Sequence, residues 1–276
     1  MVEKRSEKQL ELMRRSGLIA SVTVKKLLEN IIVGVSGLEL DQIAREEIKR
    51  LGGKESYKTV PGYMWAICLT INEQVVHGIP TERKIEAGDL VSVDLAVEFE
   101  GWHTDTAWTV LVPDVILSET KNPSRMREKT GTSPEILHSV QDDNVNFLRV
   151  GEEALWLGIM EAVAGHTIGD IGAAIQGKVE GAGYHVVRSL VGHGVGKKLH
   201  EDPEVPGYGR QGKGLVLESG MTIAIEVIYA KGTSEVVLEK DGWTFVSADG
   251  SMAGLYEMTV VVGEKKAEVL TDWRKI

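Results

Sequence analysis

Four acidic side chains stand where acids are least expected, inside the most apolar runs of the chain. Asp94 lies within Leu-Val-Ser-Val-Asp-Leu-Ala-Val over 90–97, and Asp105 lies in the run after a turn near Glu100-Gly101. Glu226 lies within Ile-Ala-Ile-Glu-Val-Ile over 223–228, and Glu257 directly precedes Met-Thr-Val-Val-Val. An unpaired carboxylate in such surroundings costs several kcal/mol, so buried acids are paired or coordinate metal. Any one of the four, read alone, is satisfied by an outward position on an alternating strand. For all four together that reading fails, and lysine and arginine are scarce in these runs. On the hairpin closing near Phe99-Glu100, Asp105 falls opposite Asp94 or one diagonal step away, which puts the two carboxylates roughly 4.5–8 Å apart on one face. Like charges so close need a proton or a cation between them. Four negative charges match two divalent cations and leave room for a bound hydroxide. With one imidazole added, the donor set suits manganese, iron, cobalt or zinc better than calcium. Two such ions roughly 3.5–4 Å apart, bridged by carboxylates and water, make a hydrolytic centre.

An internal repeat indicates how these groups are brought together. Residues 87–94 (Ala-Gly-Asp-Leu-Val-Ser-Val-Asp) lie over 219–226 (Ser-Gly-Met-Thr-Ile-Ala-Ile-Glu), each with an acid six positions after a glycine. A histidine precedes each, in Val-His77-Gly-Ile and in Gly-His193-Gly-Val. The pattern describes two related halves with a site between them, although two short matches leave coincidence open.

The surrounding elements follow from periodicity. Helices are expected over 7–29, over 39–51 (ending at Gly52-Gly53), over 152–164 and over 168–181; strands are expected over 90–97 and 102–112, with mostly short strands from Tyr184 onward. Helices and antiparallel strands in mixed order give an α+β fold. Residues 113–146 carry no sustained period and read as a surface insertion, with disorder an open alternative. That reading disfavours His138, Asp142 and Asp143 as metal ligands.

The chain has 276 residues, 42% hydrophobic and 26% charged, which suits a globular protein of one large domain or two smaller ones. Its formal charge of −10 and lack of a basic stripe argue against nucleic acid as the main partner. Cys68 is the one cysteine, which rules out an internal disulfide framework. No apolar leader or membrane span is visible, so a cytoplasmic location is the default expectation.

The words around these residues are more specific than the acids themselves. They are Ile-Asn-Glu-Gln-Val-Val-His-Gly-Ile-Pro (71–80), Gly-His-Gly-Val-Gly (192–196), Leu-His-Glu-Asp-Pro (199–203) and Asp-Gly-Trp-Thr (241–244). Together with the acids they make the chain similar to methionine aminopeptidases, over nearly its whole length except 113–146. The resemblance implies a single catalytic domain over 1–276 with the pita-bread α+β fold, a curved antiparallel sheet covered by helices and halves related by a pseudo-two-fold axis. It further implies two divalent ions (cobalt, manganese, iron or zinc). Asp94 would be a terminal ligand of one, Asp105 and Glu257 would bridge, and His193 and Glu226 would hold the other. His77 and His200 would contact the peptide without binding metal, and Tyr63, Cys68, Leu199 and Trp243 would line the methionine pocket, with core packing as the alternative for each. Leu199 departs from an often aromatic position, and Tyr57 stands where some relatives have cysteine. His103, His138, His166 and His185 match no functional position.

The implied reaction is removal of the initiator methionine from nascent polypeptides by a metal-bridging hydroxide, with Glu226 as proton shuttle. The implied setting is a monomer working near the ribosome, without nucleic-acid or membrane partners. The absence of a large insertion between His193 and Glu226 resembles the bacterial type I enzymes. Two rival readings are a prolidase or X-Pro aminopeptidase, which usually carries a further amino-terminal domain, and a non-catalytic binding protein on the same fold, which typically has lost ligands.

Overall fold

The computed structural model describes the backbone of residues 3–113 and 134–276, and the side chains of residues 3–113 and 143–276. In chain order the elements are α1 (Glu7–Asn30), α2 (Gly37–Arg50), β1 (Lys54–Glu55), β2 (Ile67–Ile71), β3 (Gln74–Val76), β4 (Leu90–Phe99), β5 (Trp102–Leu111), α3 (Pro134–Met160), α4 (Ile168–Gly181), β6 (His185–Val186), β7 (Gly192–Gly194), β8 (Glu201–Val205), β9 (Thr222–Ala230), β10 (Val236–Leu238), β11 (Phe245–Ser247), β12 (Ala253–Val261) and β13 (Glu268–Val269). Single 3₁₀ turns cover Ser56–Thr59 and Trp273–Lys275.

Helix α1 buries Leu10, Met13, Ile19, Ala20, Val24 and Leu27, the spacing of one helical face. Ser36 starts α2 through a capping box: its N–H donates to Glu39 Oε2 at 2.7 Å and its Oγ accepts from Glu39 N at 3.3 Å. The expectation for α2 therefore began two residues late, because the cap already sits at Ser36.

The main antiparallel sheet is ordered β1-β4-β5-β12-β9-β7-β8, with β2 on β4, β6 on β9 and β13 on β12. Helices α1 and α2 cover one half through Ile19, Leu27, Leu40, Ile48, Val93 and Leu95. Helices α3 and α4 cover the other through Phe147, Leu155, Ile175, Ile223 and Met258. A smaller sheet, β10-β11-β3, stands at the side of the site. Among the described residues no helix is long and apolar enough to cross a membrane.

The two halves share a matching set of backbone bonds. Gly88 N donates to Val112 O and Val112 N to Asp89 O; Gly220 N donates to Val262 O and Val262 N to Met221 O. Both glycines sit at positive φ, 86° and 90°, in a turn that a side chain would strain. Upstream, Gly34 N donates to Ile85 O and Ile85 N to Val35 O; Gly165 N donates to Leu217 O and Leu217 N to His166 O. The repeat visible at 87–94 and 219–226 thus extends back to the helix pairs.

The halves meet where β5 lies beside β12, and here hydroxyls supplement a short backbone ladder. Thr259 Oγ1 accepts from Asp105 N and donates to Asp105 O, both at 2.9 Å. Thr109 Oγ1 accepts from Leu255 N and donates to Leu255 O, both at 2.8 Å. Thr106 Oγ1 donates to Glu257 O at 3.0 Å. Inserted hydroxyls keep the buried backbone groups satisfied while the strands part around Asp105 and Glu257.

Two sequence expectations change. The helix expected over 152–164 runs Pro134–Met160, so the latter part of the segment read as an insertion is helical. Within it Phe147, Val150, Ala154 and Leu155 carry the buried stripe. Residues 114–133, and the side chains of His138 and Asp142, lie outside the described residues; Asp143 is exposed and pairs with Lys231. Beyond Tyr184 the strands are mostly short, as expected, with β9 and β12 the two of nine residues.

One glycine fixes the approach to the site. A Cβ on Gly78 would lie 2.0 Å from Leu69 O, and Leu69 N itself bonds to Gly78 O at 2.8 Å. The obstacle is backbone, so Gly78→Ala is expected to destabilise the fold by about 1–3 kcal/mol, read as a lower urea midpoint. An unchanged midpoint would show that the 69–78 crossing relaxes freely.

Candidate functional site

Strand register assembles the acids. Cys68 pairs with Asp94, Asp94 with Ala107, Ala107 with Glu257, and Glu257 with Glu226, a row running across β2, β4, β5, β12 and β9 on one face. Asp105 stands one diagonal step from Asp94, since its own partner is Ala96. His193 pairs with Ala224 and therefore stands one diagonal step from Glu226. Ala107, fully buried in the middle of the row, contributes only a methyl and leaves the space between Asp94 and Glu257 open.

The hairpin sets this register. Phe99 pairs with Trp102 around Glu100 and Gly101, whose φ values of 50° and 80° match the tight two-residue turn of a β-hairpin.

The electrostatics of the cluster are those of a cation site. Asp94, Asp105 and Glu257 are 9%, 3% and 2% exposed. Among the described residues the ion-pair contacts of the four acids are with one imidazole, through Asp105 and Glu226: His193 Nε2 lies 3.9 Å from Asp105 Oδ2 and 3.7 Å from Glu226 Oε1. Burial, then the neighbouring Asp105, pushes Asp94 and Glu257 well above the usual carboxylate range. Glu226 is raised in the same way by burial and then by Asp105 and Asp94, and Asp105 is raised chiefly by burial. Burial, then the charge of His200, lowers His193 to about 4. Its Nδ1 donates to Gly194 O at 2.9 Å, which fixes the tautomer and leaves Nε2 as a lone pair facing the acids.

A divalent metal fits this donor set. Glu257 Oε1 is fully buried and has no hydrogen-bond partner among the described residues. Ligand atoms within 4.8 Å of one another group as Asp94–Asp105–Glu257, His193–Glu226–Glu257 and Asp105–His193–His200. Neighbouring groups share members, as expected where one carboxylate serves two ions.

The stripped site should carry a measurable penalty. A carboxyl whose folded pKa exceeds its unfolded value contributes stability at low pH that is lost as pH rises from about 4. The chelator-treated protein is therefore expected to melt at a lower temperature at pH 8 than at pH 5.5, with Mn²⁺ reversing the loss. A melting temperature that stays level or rises over that interval would contradict the burial of these charges.

The cluster opens into a cavity of about 120 Å³ lined by Tyr57, Val60, Tyr63, Cys68, Val76 and Trp243, with His77 and His200 at its rim. Tyr63 meets Trp243 edge to face at 5.1 Å between ring centroids, and its hydroxyl donates to Ile67 O at 2.9 Å. Leu199 is buried in the cluster of Tyr57, Tyr63, Cys68 and Ala96 and is not among the residues lining the cavity. Val60 and Val76 were not assigned to the site from sequence, and Tyr57 was read there only as a departure in the pocket, with no role toward the acids. The valines are indistinguishable there from core residues.

A wider cleft of about 800 Å³ continues outward past His77, His193, His200 and Glu226. His200 is exposed, with its ring centroid 4.4 Å from that of His193. It is held from behind: Glu201 accepts from Lys198 N at 2.8 Å and pairs with the buried Arg5, whose Nε donates to Thr222 Oγ1 at 3.2 Å. His77 has an unusual positive φ of 56°, and its ring meets Phe245 of β11 at 5.9 Å. Enclosure by the cleft, then the charge of His200, lowers its pKa. The remaining described histidines lie apart: His103 bonds to Ser56 Oγ at 2.6 Å, His166 pairs with Glu161, and His185 is exposed.

Comparison with known proteins places this arrangement. The model of metallopeptidase family M24 matches residues 11–264. Methionine aminopeptidase 1 of Bacillus subtilis (strain 168) is 36% identical over 271 residues, covering 98% of this chain and 99% of that protein. The crystal structure of a methionine aminopeptidase from Thermotoga maritima superposes with a TM-score of 0.85 at 34% identity, covering 98% and 99% of the two chains. A prolidase from Pyrococcus furiosus, at 20% identity and a TM-score of 0.66, shares the fold alone. The described fold is accordingly the pita-bread fold, and the chain belongs to metallopeptidase family M24, among its methionine aminopeptidases.

Proposed function

We propose that this chain is a methionyl aminopeptidase that removes the amino-terminal methionine of nascent polypeptides. Asp94, Asp105, His193, Glu226 and Glu257 would hold two divalent cations. One observation carries the reading: three buried carboxylates, the half-buried Glu226 and an imidazole lone pair converge without a lysine or arginine partner among the described residues, beside a small apolar cavity. Oxygen donors with one imidazole suit manganese, iron, cobalt or zinc. Such ions, when bound, supply Lewis acidity and bring the pKa of water toward neutrality.

The chain's own residues then divide the work. Tyr63, Cys68, Val60 and Trp243 accept the methionine side chain, and the cavity's small volume excludes longer or branched residues. Glu226, at the junction of cavity and outer cleft, takes a proton from the attacking water and returns it to the departing amine. His200 donates to the oxyanion that develops on the scissile carbonyl. His77, across the cleft mouth, steadies the scissile amide. The outer cleft takes the residues that follow methionine. This assigns the whole chain to one catalytic domain, expected to act as a monomer close to the ribosome in the cytoplasm.

Hydrolysis of Met-Ala-Ser and of a proline-containing dipeptide by the Mn²⁺-loaded protein tests the reading. Methionine release with no prolidase activity is the expected result. The reverse preference, or no hydrolysis of either peptide under any divalent metal, would overturn it.

A further inference from the structure

We infer that Tyr57 is a positioning residue for the metal ligands, whose hydroxyl sets which oxygens Asp94 and Asp105 present to the ions; the inference rests on the metal-holding role proposed above. Tyr57 is 7% exposed, and its hydroxyl donates to Asp94 Oδ1 while lying 3.3 Å from Asp105 Oδ1. One phenol thus spans the diagonal between two like charges. Asp105 Oδ1 also accepts from Thr106 N at 3.0 Å, while Oδ2 is the oxygen turned toward His193 Nε2. In Asp94, engagement of Oδ1 leaves Oδ2 as the available donor.

The phenol is itself fixed. Tyr57 sits on the 3₁₀ turn Ser56–Thr59, which β1 ties to β4 through Lys54–Glu98 and Glu55–Val97. Ser56 Oγ bonds to His103 Nδ1 at 2.6 Å, Thr59 Oγ1 donates to Ser56 O at 2.7 Å, and Val60 N donates to Tyr57 O at 2.9 Å. The ring rests edge to face on Tyr63 at 5.7 Å. A carboxylate held by such a partner gives up less rotational freedom when it binds a cation, and removing groups that orient metal ligands typically weakens affinity about 10–100-fold. Tyr57 and Tyr63 therefore differ in role although both line the cavity: the hydroxyl of Tyr63 is spent on backbone carbonyls of Ile67 and Gly78, that of Tyr57 on the ligands.

The test is calorimetric titration of chelator-stripped protein with MnCl₂, repeated for Tyr57→Phe and for Tyr256→Phe, a tyrosine buried on the face of β12 opposite Glu257 whose hydroxyl donates to Thr109 O. The absorption spectrum of Co²⁺-loaded protein is recorded in parallel. Tyr57→Phe keeps the packed ring, so the fold is expected to persist. Expected is an affinity loss of about 10–100-fold in Tyr57→Phe alone, with an altered Co²⁺ spectrum. Binding as tight as, or tighter than, the parent, or an equal loss in Tyr256→Phe, overturns the inference while leaving the metal reading intact. Failure of the parent protein to bind Mn²⁺ would instead overturn the metal reading itself.

Discussion

Asp105→Asn is expected to abolish turnover, lowering kcat/KM on a methionyl peptide by about 10³-fold or more, since the ions' contribution to such a reaction is several kcal/mol. Asp105 occupies the middle of the cluster. One oxygen is tied to Thr106 N and lies near Tyr57, and the other points at His193. The amide keeps the shape but removes a negative charge and replaces one donor oxygen with an N–H. Metal content measured on the purified variant should fall with activity. Because Asp105 raises the pKa of Asp94, Glu226 and Glu257, the stripped variant should be at least as stable as the stripped parent at pH 8. That separates loss of chemistry from loss of fold. Near-normal activity in this variant would remove Asp105 from the bridging role.

His200→Ala is expected to lower kcat about 10²–10³-fold, the usual cost of deleting an oxyanion donor, with metal content unchanged. The second half of that statement is the discriminating one. His200 lies near enough to Asp105 and His193 for geometry alone to admit it as a ligand. Its exposure at the cleft, against the burial of Asp105 and the enclosed position of His193, favours contact with the peptide. The turn carrying it is braced through Glu201 and Arg5, so removing the exposed ring should leave the backbone in place. Loss of bound metal in His200→Ala would move this residue into the ligand set.

How much of this was legible in the sequence depended on how local each constraint is. The nearness of Asp94 and Asp105, opposite or one diagonal step apart, was readable because one hairpin carries both; the turn at Glu100-Gly101 selects the diagonal. The face-to-face pairing of Glu226 with Glu257 was not, because 231–252 separates their strands and no turn sets that register. Gly88 and Gly220 disclosed the repeat, since a positive-φ turn before a strand demands glycine. The matching bonds at Gly34 and Gly165 stayed hidden because Val35-Ser36 and His166-Thr167 share little beyond a capping hydroxyl. The start of α3 was missed because its first ten residues, Pro-Glu-Ile-Leu-His-Ser-Val-Gln-Asp-Asp, show no sustained apolar period. Tyr57 illustrates the limit: nothing in Ser-Tyr-Lys-Thr marks a phenol aimed at two aspartates, and only the pairing of β1 with β4 directs it there.

The most direct measurement is anomalous diffraction from crystals of the Mn²⁺-loaded protein. Two peaks roughly 3.5–4 Å apart, within bonding distance of Asp94, Asp105, His193, Glu226 and Glu257, are the expected result. Density free of metal among these five groups, with Mn²⁺ bound only elsewhere, would contradict the account at its centre.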